Sequence, residues 1–252
     1  MDSFVHEQSI VRKIWGHSDT VLLVFAGASA EFALNKAVDW LYFTGRLPSD
    51  PMGRLFSTVV YAQKIVFAGS DAAFAAIDRI SSIHRGVEQQ RNDRIPDEAY
   101  LDVLFMLIDY SIRSFELLQR KLSREERVEV FNVFYRVGAR MGLKGLPSGY
   151  DEWEKMRTAY LHENLVRSNL SLDLYQQYKQ HLGSFRYQLL LQVQALLVPE
   201  KVRQLLLLPS FPLLWPAVQL YKGLRLLRMD SWLKNGLVPA SYRRQAGQLD
   251  IS

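Results

Sequence analysis

Apolar residues recur along this chain at intervals of three and four, and no run alternates strictly between apolar and polar positions. That period belongs to helices with one buried face, so the pattern predicts an all-α chain without strands. A first core helix is expected from Asp19 to Trp40, where Ala26, Gly27, Ala28 and Ala30 allow close packing or leave room for a flat ligand. Glu31, Asn35, Lys36 and Asp39 interrupt its apolar run too soon for a membrane span, which needs about 20 apolar residues. Gly45 to Pro48 reads as a turn. Asp50 then stands as N-cap with Pro51 at the first helical position, where a missing N–H costs nothing. The next helix turns over at Ala68-Gly69-Ser70, and another follows with the face Ala73, Ile77, Ile80, His84, Val87.

Glu88 to Asp97 is polar and reads as an exposed loop, with Asp97 as the cap of a helix over Ala99 to Lys121. Ser123 and Glu126 have the spacing of a capping box and open a helix over Glu125 to Met141, which Gly142 stops. Amphipathic helices are expected over Tyr150 to Asn169 and Leu172 to Leu197. The architecture is therefore a single-domain helical bundle with an N-terminal arm (1–18), a helical domain (19–200) and an apolar, basic C-terminal segment with a polar tail (201–252).

Composition narrows the chemistry. With 48% hydrophobic and 23% charged residues the chain has the balance of a globular domain able to bury a core. It contains no cysteine, which excludes disulfides, thiolate–zinc and iron–sulfur sites, covalently attached c-type haem and cysteine-ligated haem iron. The net charge of +5 comes from bases spread among acids, without a nucleic-acid motif, so nucleic acid is not an expected partner. The N-terminus has acids at Asp2 and Glu7 and no apolar core, so the expected location is the cytoplasm, with or without attachment to a membrane surface. No Gly-rich phosphate loop, nucleophile elbow, HExxH motif or Glu-x-x-His pair is present, which argues against kinase, hydrolase, zinc and di-iron chemistry.

His84 is the residue that looks chemical. An imidazole on an apolar helix face is often a core residue hydrogen-bonded to a carbonyl, but it is also the usual proximal ligand of haem iron. Arg54 and Thr58, one turn apart on one face of the preceding helix, add a cation and a hydroxyl. Asp109, inside an apolar stretch, could orient an imidazole; a carboxylate hydrogen-bonded elsewhere is the plainer reading. His162 and His181 lie amid charged neighbours and are expected to be exposed, and His6 and His17 precede the core.

The spacings Asp50-Pro51-x-x-Arg54-x-x-x-Thr58, Val66-Phe67-x-Gly69 and Ile83-His84-x-x-Val87 resemble the rubber oxygenase (latex-clearing protein) and ER-bound oxygenase family of b-type haem proteins. The likeness extends through Tyr100, the helix after it, and Gly142 to Pro147. It implies non-covalent haem b between core helices, His84 as the proximal iron ligand, and Arg54 and Thr58 on the distal side. The expected activity is oxygenation of an apolar small molecule by dioxygen. The resemblance is incomplete. Ser57 stands where rubber oxygenases carry a lysine able to cap the iron. Ala26-Gly27-Ala28 occupies the place of a His-Pro pair, and neither Glu31 nor Asp39 aligns with the family's proposed acid.

Leu205 to Pro216 joins leucines, Phe211 and Trp215 to three prolines, and Lys222, Arg225 and Arg228 follow. Prolines forbid a spanning helix, so residues 205–228 either pack on the bundle or lie at a lipid interface. Three functions fit these readings: a haem oxygenase, a non-catalytic carrier of haem or an apolar ligand at a membrane surface, and a helical scaffold in which His84 is structural.

Overall fold

The computed structural model describes residues 3–43, 49–210 and 213–226, with residues 41, 51–52, 54–57 and 223–226 described through their backbone alone. It is all-α. The helices are α1 (Ile10–Trp15), α2 (Ser18–Phe32), α3 (Asp39–Phe43), α4 (Pro51–Phe67), α5 (Ser70–Arg91), α6 (Asp97–Leu118), α7 (Arg124–Met141), α8 (Tyr150–Glu163), α9 (Asn169–Leu197), α10 (Glu200–Leu206) and α11 (Trp215–Leu226). The expected turn at Gly45 to Pro48 and the tail beyond 226 lie outside the described residues.

α2 and α6 are the central pair, and Gly27 sets how closely they approach. A Cβ at that position would lie 2.3 Å from Cδ1 of Tyr110, so the tyrosine ring rests on bare backbone. Close packing is therefore what Gly27 provides. Around this contact the core gathers Trp15, Val21, Val24, Phe105, Ile108 and Ile77, all fully or almost fully buried. Trp15 donates from Nε1 to Ser111 Oγ at 3.2 Å, and Gln63 donates to the Trp15 carbonyl at 3.1 Å, which ties α1 to α6 and α4.

Two expected helices are broken. The stretch from Asp19 to Trp40 stops at Phe32 because Asn35 makes a local turn, its Oδ1 accepting from Ala37 N at 2.8 Å. The chain there is pinned to the segment after α8 by Lys36 N–H to the Asn164 carbonyl (3.0 Å) and Val166 N–H to the Leu34 carbonyl (2.7 Å). The stretch from Leu172 to Leu197 is not one rod. Gly183 sits at φ 72°, ψ 165°, a conformation essentially reserved for glycine, and the chain folds back there. The hydroxyl of Tyr175 donates to Gln194 Oε1 at 2.9 Å, whereas nineteen residues of continuous helix would separate the two by about 28 Å. Between the two arms Tyr178, Leu174 and Ala33 are buried with Tyr42, Tyr175 and Tyr187 against them, a second small core. Gln194, fully buried, fastens this hairpin to α2 by donating to the Ala26 carbonyl at 3.1 Å.

The loop expected over Glu88 to Asp97 is shorter, because α5 runs on to Arg91, and α8 stops at Glu163 instead of reaching Asn169. Ser123 and Glu126 form a reciprocal capping box, and Gly142 ends α7 in the left-handed region at φ 75°. α6 begins at Asp97, with Pro96 as the cap, so Asp97 adds negative charge to the first turn instead of capping it.

A layer of charge crosses the core. Arg157, on the inner face of α8, is 5% exposed and forks onto both oxygens of Glu31 from α2 and onto Oδ2 of Asp109 from α6, at 2.9 and 3.1 Å. Arg113 takes the other Asp109 oxygen at 2.7 Å, and Tyr110 donates its hydroxyl to Glu31 at 2.9 Å. Burial alone would lower the arginine's pKa, but the two carboxylates raise it overall, so it stays charged. Asp109 thus serves this layer and not an imidazole.

Candidate active site at the α4–α5 hairpin

α4 opens as its first residues dictate: Asp50 Oδ1 accepts from Gly53 N at 2.8 Å, with Pro51 in the first turn. Ala68 and Gly69 are extended and form the turn, and α5 then runs 22 residues until Asn92, left-handed at φ 53°, ends it. Helical rise fixes the register of this hairpin. Arg54 lies 13 residues before the end of α4 and His84 lies 14 residues into α5, so both backbones stand about 20 Å from the turn. Thr58, half-buried, is one turn closer to it. The backbone thus brings the three positions to neighbouring levels of two packed helices, while the Arg54 side chain lies outside the described residues.

The imidazole of His84 is half-buried, with Nδ1 screened from water. Its ring lies 5.2 Å from that of Tyr100 at the start of α6, tilted by 55°. One turn along, Glu88 Oε1 accepts from the Tyr100 hydroxyl at 3.3 Å and from Ile95 N at 3.1 Å. Burial, then the charge of Glu88, push the Tyr100 phenol well above its ordinary pKa, so it remains a neutral donor. Tyr100 therefore links the histidine to a carboxylate without itself carrying charge.

Seven residues beyond His84, on the same face, Arg91 closes this surface. Its guanidinium stacks 4.0 Å above the Trp40 ring and pairs with Asp39 at 2.6 Å through Nη2. Nη1 is screened from water and meets no acceptor among the described residues. This donor set would suit a haem: an imidazole nitrogen as the protein's ligand to the iron, the porphyrin supplying the others, and an arginine for a propionate. A single protein ligand needs no cluster. None of three or more His, Asp or Glu is found among the described residues.

The other histidines stand apart. His162 and His181 are exposed, as their charged surroundings suggest. His181 bonds through Nδ1 to the Gln177 carbonyl at 2.8 Å and through Nε2 to the Ser49 carbonyl at 3.0 Å, joining the α9 hairpin to the start of α4. Sequence reasoning missed Glu88, Arg91 and Trp40; the only signal was Arg91 at a seven-residue interval from His84. No described helix is long and apolar enough to cross a membrane. At the C-terminal end Leu207, Leu213, Trp215 and Leu220 are 74%, 83%, 54% and 67% exposed, whereas Leu208 is buried.

Comparison with known families gives one match. Residues 12–232 fit the family described as ER-bound oxygenase mpaB/B′/rubber oxygenase, catalytic domain. Searches of curated proteins and of solved structures give no match.

Proposed function

The chain belongs to the ER-bound oxygenase and rubber oxygenase family, an oxygenase catalytic domain, and on that premise we propose that it is a haem b-dependent oxygenase of an apolar organic substrate. The observation that carries the reading is His84: a half-buried imidazole backed by Tyr100 and Glu88, level with Arg54 across the hairpin. Haem held there supplies the redox-active iron at which dioxygen is used. His84 would offer a ring nitrogen to the iron, and packing against Tyr100 restrains the orientation of that ring. Arg54 would bring a permanent charge with several donors, and Thr58 a neutral hydroxyl, to stabilise negative charge on an oxygen reactant bound near them.

Reconstitution with haemin tests this. The protein is expected to give a Soret band that His84→Ala loses while its helical far-UV signal persists. Oxygen consumption with apolar alkenes is expected to fall about 10²–10³-fold in Arg54→Ala at unchanged haem content, and less in Thr58→Ala. A normal haem spectrum in His84→Ala would sink the ligand assignment. Haem uptake without oxygen consumption would favour the non-catalytic carrier.

A second proposal concerns the C-terminal end. Leu207, Leu213, Trp215 and Leu220 point outward instead of packing, which supports peripheral contact of this segment with lipid. Co-sedimentation with anionic vesicles, weakened by salt and by Leu213→Ser/Trp215→Ser, is the expected result. Binding equal to that of neutral vesicles and indifferent to those substitutions would remove the membrane from the account.

A further inference from the structure

Among the described residues around His84, Arg91 has bonding that is incomplete in an informative way. Asp39 engages Nη2, and Trp40 covers one face of the guanidinium at 4.0 Å, with Phe43 at 5.6 Å. The side chain is thereby held in one position. Yet Nη1 is shut away from water and has no acceptor among the described residues. A screened donor without an acceptor is costly, and for a cation the group that best relieves that cost is a carboxylate, which can take the guanidinium edge in a charge-assisted pair. Position adds direction. Seven residues of helix place Arg91 about 10 Å along α5 from His84 and within about 20° of the same face. That is comparable with the reach from a haem iron to its propionates.

We propose that Arg91 is the carboxylate-docking residue of the His84 site, held by Asp39 and Trp40 so that its remaining edge receives an anionic group of the molecule bound there. This rests on the reading of His84 as the site's centre. The carboxylate has two sources, a haem propionate or an acidic head on an otherwise apolar substrate, and both use the same donor.

The experiment uses the full chain and three variants, Arg91→Gln, Arg91→Lys and Asp39→Asn. In the first arm each apoprotein is titrated with haemin and with haemin dimethyl ester, which lacks the free carboxylates. Wild type is expected to prefer haemin by roughly ten- to hundredfold, the range of a hydrogen bond to a charged group. Arg91→Gln should abolish that preference by weakening haemin alone, Arg91→Lys should keep part of it, and Asp39→Asn, which removes the charge that holds Arg91, should keep more of it than Arg91→Gln and less than wild type. In the second arm a long-chain carboxylic acid and its alcohol are titrated, with Trp40 beneath the guanidinium as the fluorescence reporter. Loss of acid preference in Arg91→Gln assigns the carboxylate to the substrate. If Arg91→Gln weakens acid and ester forms equally in both arms, Arg91 is only a brace between α5 and α3 and the proposal is overturned. If wild type takes up neither porphyrin, the haem reading fails by itself, and the second arm on apoprotein decides Arg91 alone.

Discussion

Two polar regions of this molecule solve the same problem in opposite ways. In the layer between α2, α6 and α8, Arg157 is enclosed and committed: Glu31 and Asp109 take its guanidinium, and Tyr110 and Arg113 complete the carboxylates. Along α5, His84 and Arg91 are partly open, and the arginine's fork is half used. A closed network is rigid and chemically idle. A partly open one has capacity left for a ligand, and it sits where a histidine and the hairpin partner of α5 can share that ligand. The contrast explains why the most heavily charged site in the core is not the candidate active site.

The sharpest way to break the contrast is to open the closed layer. Arg157→Ala strands two buried carboxylates, and a loss of about 3–5 kcal/mol in unfolding free energy is expected. Chemical denaturation measures it, and a loss under 1 kcal/mol would mean that water already reaches the layer. A smaller effect comes from Asp102, beside the layer, where burial pushes the carboxyl up to about 6 against the hydrogen bonds of Asn35 (2.7 Å) and Asn164 (3.0 Å). Its folded pKa is above its unfolded one, so the folded state binds the extra proton and ionisation works against folding. Stability attributable to this group should decrease as pH rises from about 4 to about 6, by about 3 kcal/mol in total. Asp102→Asn should flatten that part of the stability-against-pH profile. A wild-type profile already flat there would show the carboxyl to be solvated. The smallest stability effect is expected at the open site, where His84→Ala, the variant that loses haem, should cost the apoprotein under about 1 kcal/mol. A cost like that of Arg157→Ala would make His84 a core residue after all.

Much of the fold was legible, because helical period, the Ser123 capping box and the Gly142 stop are local signals that tertiary contacts did not override. Asn35 and Gly183 were not read as breaks. Asn35 interrupts an apolar run without marking a helix end, Gly183 is an ordinary glycine until its φ is known, and the contacts that hold each break lie elsewhere in the chain: the 164–166 segment for the first, and those between the α9 arms for the second. The charged layer was half visible. Asp109 stood out as an acid inside an apolar stretch and Glu31 as one interrupting another, and Arg157 shares the face of Tyr150, Trp153 and Tyr160, but an arginine there reads as an exposed edge until its two carboxylates are seen to meet it. His84 could be found because it is the polar exception on its face. Arg91 could not, since an arginine at the end of a helix is an ordinary way to meet the helix dipole.

The fold-back at Gly183 has a consequence for the order in which the chain assembles. It lets Tyr175 and Gln194 meet across a loop of 19 residues, whereas Glu31 and Arg157 must close one of 126. By chain statistics the longer closure costs about 1.7 kcal/mol more in entropy. The α9 hairpin can therefore close early and locally. The α8 arginine needs the longer closure, and docking it sets α2, α6 and α8 in register.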